Sequence, residues 1–266
     1  MQSPIHFHRT VSGNRLKIAL ISLSFFIFLV AGLYYFLSFK KSHIPLTLEG
    51  TWVCQQYLDS IAARKSVAKV GISPLFLQMS FKKGWNDSVL CTGISSTYNL
   101  KLAKISKGKY LLSRFTDTIG VVNIKKVFKF EEKWSNNCWQ YAKVDTAFKR
   151  LDRGSVFRKK LNQILLSGTY RSVLGASLLK EVVFTDSGFV TGIKGIKNFK
   201  ICYGADCFHG TFPKDAIFMS NGKKTLLYAF DVVKDTLTFY TIVKQDTVNV
   251  FKPYWQMVKQ DIIKFI

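Results

Sequence analysis

The chain opens with one long apolar run and then changes period. From Ile18 to Phe39 the sequence IALISLSFFIFLVAGLYYFLSF holds 22 residues without a charge. As a helix rising 1.5 Å per residue it reaches about 33 Å, against a hydrocarbon core of about 30 Å. This predicts a single transmembrane helix, with Tyr34 and Tyr35 toward one interface. The run is longer than the apolar stretch of a signal peptide, about 7–15 residues, and bulky residues follow its only small pair, Ala31-Gly32. A retained anchor is therefore expected rather than a cleaved leader. Arg9, Arg15 and Lys17 precede the span, and Lys40 and Lys41 follow it. Three against two favours residues 1–17 as a short cytoplasmic tail, with the rest outside the cytoplasm.

Beyond residue 45 the apolar positions alternate in short runs. Leu75–Phe81, Tyr98–Leu102, Lys109–Leu112 and Val127–Phe130 read as strands, and so do Val182–Phe184, Phe189-Val190, Leu226–Phe230, Leu237–Tyr240 and Val248–Phe251. Turn signals separate them at Lys107-Gly108, Asp186-Ser187-Gly188, Ser220-Asn221-Gly222 and Lys234-Asp235. About fifteen such runs, at a spacing of about 8–12 residues, predict an all-β antiparallel fold of one or two meander barrels. Two stretches break the alternation. Tyr57–Ala68 predicts a helix with Asp59 or Ser60 as its cap, and Ala147–Leu166 spaces Phe148, Leu151, Leu161, Ile164 and Leu165 at three or four. Gly154-Ser155 interrupts the second, which leaves a helix from about Val156.

The pattern also repeats. Leu48-Glu49-Gly50-Thr51-Trp52 returns as Leu166-Ser167-Gly168-Thr169-Tyr170, 118 residues later. Each copy opens a β-rich stretch: a first half over 46–146 and a second over 166–260, joined by a basic linker at 147–165. Glycine lets the chain bend as the first strand starts, and the aromatic ring plugs one end of the core.

Charge then changes the picture. The chain carries 39 Lys+Arg against 16 Asp+Glu, a net +23. Five of those basic residues flank the apolar run and all 16 acids lie beyond it, which leaves +18 on residues 42–266. Such a field attracts nucleic acid, anionic lipid, acidic polysaccharide or an acidic protein, although scattered lysines also simply solvate a surface. Nothing marks a specific nucleic-acid site. The linker gathers Lys149, Arg150, Arg153, Arg158, Lys159 and Lys160 within twelve residues. With Lys40 and Lys41 these are the candidates for contact with an anionic surface, the alternative being a helix packed on the sheet with its lysines in water.

Gly50-Thr51-Trp52 resembles the G-x-W opening of the lipocalin and calycin families. The second half adds Gly168-Thr169-Tyr170, the turn at Asp186-Ser187-Gly188, Tyr228-Ala229-Phe230, Asp235–Tyr240 and Tyr254–Met257. This succession is similar to uncharacterised envelope proteins of the Bacteroidetes type with lipocalin-like domains, over about residues 46–260. The resemblance implies a meandering barrel, a bound apolar molecule, no catalytic residue, and a place at a bacterial inner membrane facing the periplasm. A region longer than one lipocalin barrel, and twofold, departs from that pattern.

Candidate chemistry is sparse. Cys202 and Cys207 flank a four-residue turn and could bridge across a hairpin, or lie as two small buried hydrophobes. His209 stands two residues further on, and a soft-metal site with these cysteines lacks standard spacing. His209 is also the only histidine beyond the tether, and no G-x-S-x-G, H-E-x-x-H, Walker or G-x-G-x-x-G pattern occurs. Asp206 with Asp215, or Glu131 with Glu132, are the carboxylate pairs at hand. The expectation is a non-enzymatic binding or scaffold module without a cofactor or metal. It either holds an apolar ligand in a barrel or docks an anionic partner on its surface.

Overall fold

The computed structural model describes residues 48–82, 87–124, 126–144, 154–174, 181–203, 214–245 and 248–260. The predicted span Ile18–Phe39, Lys40 and Lys41 lie outside them. Among the described residues no helix is long and apolar enough to cross a membrane.

The first half is a closed eight-stranded barrel in which each strand pairs with the next in sequence and the last with the first. Its strands are β1 (Gly50–Cys54), β2 (Gln78–Phe81), β3 (Ser88–Thr92), β4 (Thr97–Ser106), β5 (Lys109–Arg114), β6 (Asp117–Asn123), β7 (Phe128–Glu132) and β8 (Cys138–Val144). All ladders are antiparallel, and β8 closes the ring on β1 with Thr51 opposite Val144 and Cys54 opposite Tyr141. Alternation sets the inside. On β7, Phe128, Phe130 and Glu132 are buried while Lys129 and Glu131 turn outward. The inner face stacks Trp52 on Phe128 at 4.7 Å between centroids, with Tyr141 and Phe81 edge-on to the same ring at 5.2 and 6.0 Å.

The second half follows the same plan. Its strands are β9 (Gly168–Leu174), β10 (Val182–Phe184), β11 (Val190–Thr191), β12 (Asn198–Cys202), β13 (Asp215–Ser220), β14 (Thr225–Val233), β15 (Thr236–Gln245) and β16 (Val248–Lys259). The order β11-β10-β9-β16-β15-β14-β13-β12 puts the half's first strand beside both its second and its last, as in the barrel. The two edges, β11 and β12, share no ladder. They meet at a bridge between Phe189 and Asn198, flanked by Phe199 N–H to the Gly188 carbonyl (2.7 Å) and Val190 N–H to the Lys197 carbonyl (2.9 Å).

Among the described residues two α-helices depart from the sheet pattern. Helix α1 (Gln55–Arg64) starts directly off β1, two residues earlier than expected, because Tyr57, Leu58 and Ile61 must turn inward at once. Its N-cap is Cys54, with no side-chain cap bond, so Asp59 and Ser60 lie within the helix instead of capping it. Helix α2 (Ser155–Leu165) starts after Gly154, whose left-handed backbone breaks the basic stretch. Its buried face of Val156, Phe157, Leu161 and Leu165 packs between the halves, touching α1, β1 and β12. An aromatic chain runs through this layer: Trp139 to Tyr57, Tyr57 to Phe157, and Phe157 to Tyr203, at 6.2, 6.2 and 5.5 Å.

The two expected runs Val248–Phe251 and Tyr254–Met257 are one strand, β16. Pro253 has no N–H to give a ladder, and the register shifts there by one residue, leaving Tyr254 between the pairs Tyr240–Pro253 and Phe239–Trp255. The expected strand from Leu75 begins only at Gln78, since the Leu75 N–H is committed to the Glu132 carboxylate at 2.8 Å.

Candidate functional site

The repeated Gly-Thr-aromatic element builds the same corner twice. Gly50 faces Phe81 across β1–β2, and Gly168 faces Phe184 across β9–β10. Each glycine has positive φ, +118° and +147°, a region L side chains avoid. Each also lies under a lysine of its half's last strand. A Cβ on Gly50 would stand 2.7 Å from Lys143 Cε, and one on Gly168 2.6 Å from Lys259 Cε. The aromatic residue two places on is the register partner of that lysine, Trp52 with Lys143 and Tyr170 with Lys259. Trp52 Nε1 donates to the Leu48 carbonyl at 2.8 Å, which fixes the chain's entry, and Lys143 Nζ stands 6.0 Å from the Trp52 ring centroid. Gly50, Trp52, Gly168 and Tyr170 are thus parts of a structural corner at one end of each half.

Among the described residues the inward-facing side chains of both halves are closely packed. In the barrel Met79, Val89, Cys91, Leu112, Val122 and Phe130 have no exposed surface. In the second sheet Ile217, Met219, Phe230, Leu237, Phe239 and Met257 have none. A side chain lining a void wide enough for water would keep accessible area, so these residues border none.

Two open concavities are formed by described residues. A groove of about 580 Å³ between α1 and β8 is lined by Gln55, Gln56, Asp59, Ser60 and Gln140 among others. Its amides are already engaged, Gln56 Oε1 with Gln140 N–H at 3.1 Å and Gln55 Nε2 with Asp59 Oδ1 at 2.7 Å. A smaller one, about 300 Å³, lies among Ser73, Pro74, Ser95, Ser96, Tyr98 and Glu132.

The buried carboxylates serve as backbone caps. Glu132 takes the Leu75 N–H and the Ser135 hydroxyl. Its neighbour Glu131 points to solvent, so that pair does not converge. Asp215 accepts the Ala68 N–H at 2.7 Å, with Ser66 and Val67 also bonding to it, and so pins the segment after α1 to the second sheet. Burial pushes its carboxyl above the usual range, against the pull of those hydrogen bonds. Asp206 lies outside the described residues.

Cys54 and Cys91 are free, buried thiols. Burial pushes Cys54 up to about 12 and Cys91 well up, which suppresses the thiolate a nucleophile or metal ligand needs. Cys138 is free and exposed at the start of β8. Cys202 is disulfide-bonded, while Cys207 and His209 lie outside the described residues. Among the described residues no group of three or more His, Cys, Asp or Glu could hold a metal ion.

Of the expected anionic-surface contacts, Lys40, Lys41, Lys149, Arg150 and Arg153 lie outside the described residues. Lys159 and Lys160 are exposed on α2, and Lys159 Nζ is 3.4 Å from Asp186 Oδ2. Arg158 is half-buried. The apolar face of α2 is spent inside the fold, so the helix is not free to lie in a bilayer interface with that face down. Sequence reading passed over a different basic group, Lys104, Lys107 and Lys109 on the β4–β5 hairpin with Lys126 at the next turn. The signal was the spacing Lys-x-x-Lys-x-Lys around the expected turn at Lys107-Gly108. No family model matches the chain, and neither a curated protein nor a solved structure is significantly similar to it.

Proposed function

We propose that this chain is a membrane-anchored, extracytoplasmic, lipocalin-like module of the bacterial cell envelope. It works as a non-enzymatic scaffold whose basic outer surface docks an anionic partner. The observation that carries this reading is the filled interior. Small barrels that hold a ligand keep an apolar cavity, and these two sheets use Phe, Trp, Met and Leu to close theirs. The apolar run Ile18–Phe39 supports the anchor, and the repeated Gly-Thr-aromatic corner supports the lipocalin likeness. The non-enzymatic reading rests on carboxylates that cap backbone and thiols held protonated by burial. A disulfide between Cys202 and Cys207 fits an oxidising compartment.

Two measurements on the full chain test this. In intact cells a membrane-impermeant maleimide should label the exposed Cys138 from outside, and the protein should stay in the pellet after alkaline carbonate extraction. Labelling only after lysis, or release by carbonate, would overturn the topology or the anchor respectively. A fluorescent fatty-acid probe should show no saturable binding to purified protein. Uptake of one probe per chain would restore a carrier.

A further inference from the structure

In an up-and-down barrel the connections β2–β3, β4–β5 and β6–β7 all lie at the end where β1 begins. The chain enters β1 at that end. The tether from Lys40 to Thr47 spans eight residues, at most about 28 Å when fully extended.

Two neighbouring tips stand on this rim. Strand β4 is ten residues long, and its last four, from Ala103 to Ser106, are all exposed, so the β4–β5 hairpin runs past the barrel wall. It carries Lys104, Lys107 and Lys109 around Ile105, which is 56% exposed. The β6–β7 turn beside it carries Lys126 and Val127, the latter 45% exposed. The Ile124 N–H donates to the Gly108 carbonyl at 2.9 Å and holds the two tips together. Among the described residues none of these four lysines has an ion pair, and the strands from Thr97 to Arg114 contain no acid. Among the described residues Asp87 and Glu49 stand at this rim, and Asp59 lines one groove with Val127. The opposite rim also exposes apolar side chains, Phe115 and Trp134, but Asp117, Glu131 and Glu132 are found at that end.

We propose that the paired β4–β5 and β6–β7 tips form a foot that docks on anionic lipid headgroups of the bilayer holding the chain's own apolar segment. This rests on the anchored reading above and names its partner and face. Four lysines on two adjoining tips match a negatively charged headgroup plane, and the attraction falls off within a Debye length, so a short tether is needed to keep the foot in range. Ile105, exposed among the lysines, sinks between headgroups once they have engaged. The docked foot fixes the barrel's orientation on the membrane.

The test uses the full chain, with Ser106→Cys in a Cys138→Ser background carrying a fluorophore, reconstituted in bilayers with a headgroup quencher. In phosphatidylcholine containing phosphatidylglycerol, quenching should exceed that in phosphatidylcholine alone by about threefold, and raised salt should abolish the difference. Lys104→Glu, Lys107→Glu, Lys109→Glu and Lys126→Glu together should abolish it too. The same four changes to Gln serve as a second variant if charge reversal impairs folding, with circular dichroism as the check on both. Equal quenching in the two lipids, or a difference that survives either variant, would overturn the proposal. Carbonate extraction of the same samples reads the anchor separately, so loss of the anchor and loss of the foot are distinguishable.

Discussion

The two halves of this molecule share a plan and differ in how they close. In the first, β3 is five residues long and pairs along its whole length with β4. In the second, the equivalent strand β11 has two residues, and the ring is completed by one bridge and two neighbouring hydrogen bonds. The other seams correspond strand for strand, down to the glycine covered by a lysine. Closure is thus set by the length of one strand and not by the core, since both interiors are packed with aromatic and aliphatic side chains. A short third strand leaves a place where the second half can open without disturbing the rest.

The largest expected effect probes what the halves share. Phe128→Ala removes the ring that Trp52, Phe81 and Tyr141 all meet and should cost about 3–5 kcal/mol in chemical denaturation. Phe239→Ala, at the ring beside Phe184, Phe230 and Trp255, should cost a similar amount. A loss confined to one of the two would break the equivalence of the cores.

Next come the corners. Gly50→Ala and Gly168→Ala should each destabilise by about 1–3 kcal/mol, because both need positive φ and both lie under a lysine stem. Matched changes in melting temperature would support equivalence, while a neutral Gly168→Ala would confine the corner to the barrel.

The seam itself is read by hydrogen exchange. The Val190 and Phe199 amides should exchange at least about tenfold faster than those along the β3–β4 ladder, as when local opening needs ~1.4 kcal/mol less. Equal protection would show that one bridge closes the ring as well as a full ladder.

The smallest effect concerns the link between the halves. The Asp215 carboxyl is raised in the folded protein, chiefly by burial, so the folded state takes up a proton before the unfolded chain does. Its ionised form therefore costs stability at neutral pH. That cost is relieved as pH falls through the raised value and is gone below the ordinary carboxylate pKa. Asp215→Asn keeps an oxygen for the Ala68 N–H and should remove this acid-side gain from the pH profile of stability. An unchanged profile would assign the pH dependence elsewhere.

Much of this architecture was legible along the chain. The turns at Lys107-Gly108, Asp186–Gly188, Ser220–Gly222 and Lys234-Asp235 each separate two strands or bridge two segments as read, because turn chemistry is local. The break at Gly154 was legible for the same reason. The start of α1 was not, since it depends on what Tyr57 and Ile61 pack against. Nor was the merging of two runs into β16, where a bulge at Pro253 keeps the ladder going. For the site, the Gly-Thr-aromatic echo pointed to the right positions, but nothing in it named Lys143 and Lys259 as the residues lying over them. The expected basic cluster was placed on the linker, whereas the exposed lysines that gather at one rim come from two hairpins.

The sequence by itself determined the alternation, the turns and the twofold repeat, because each depends on neighbours within a few residues. Whether the interiors were hollow, which lysines share a rim, and how completely each ring closes were decided only by tertiary structure. Those properties depend on side chains that are distant along the chain and meet only when the sheets curl, so no local pattern encodes them.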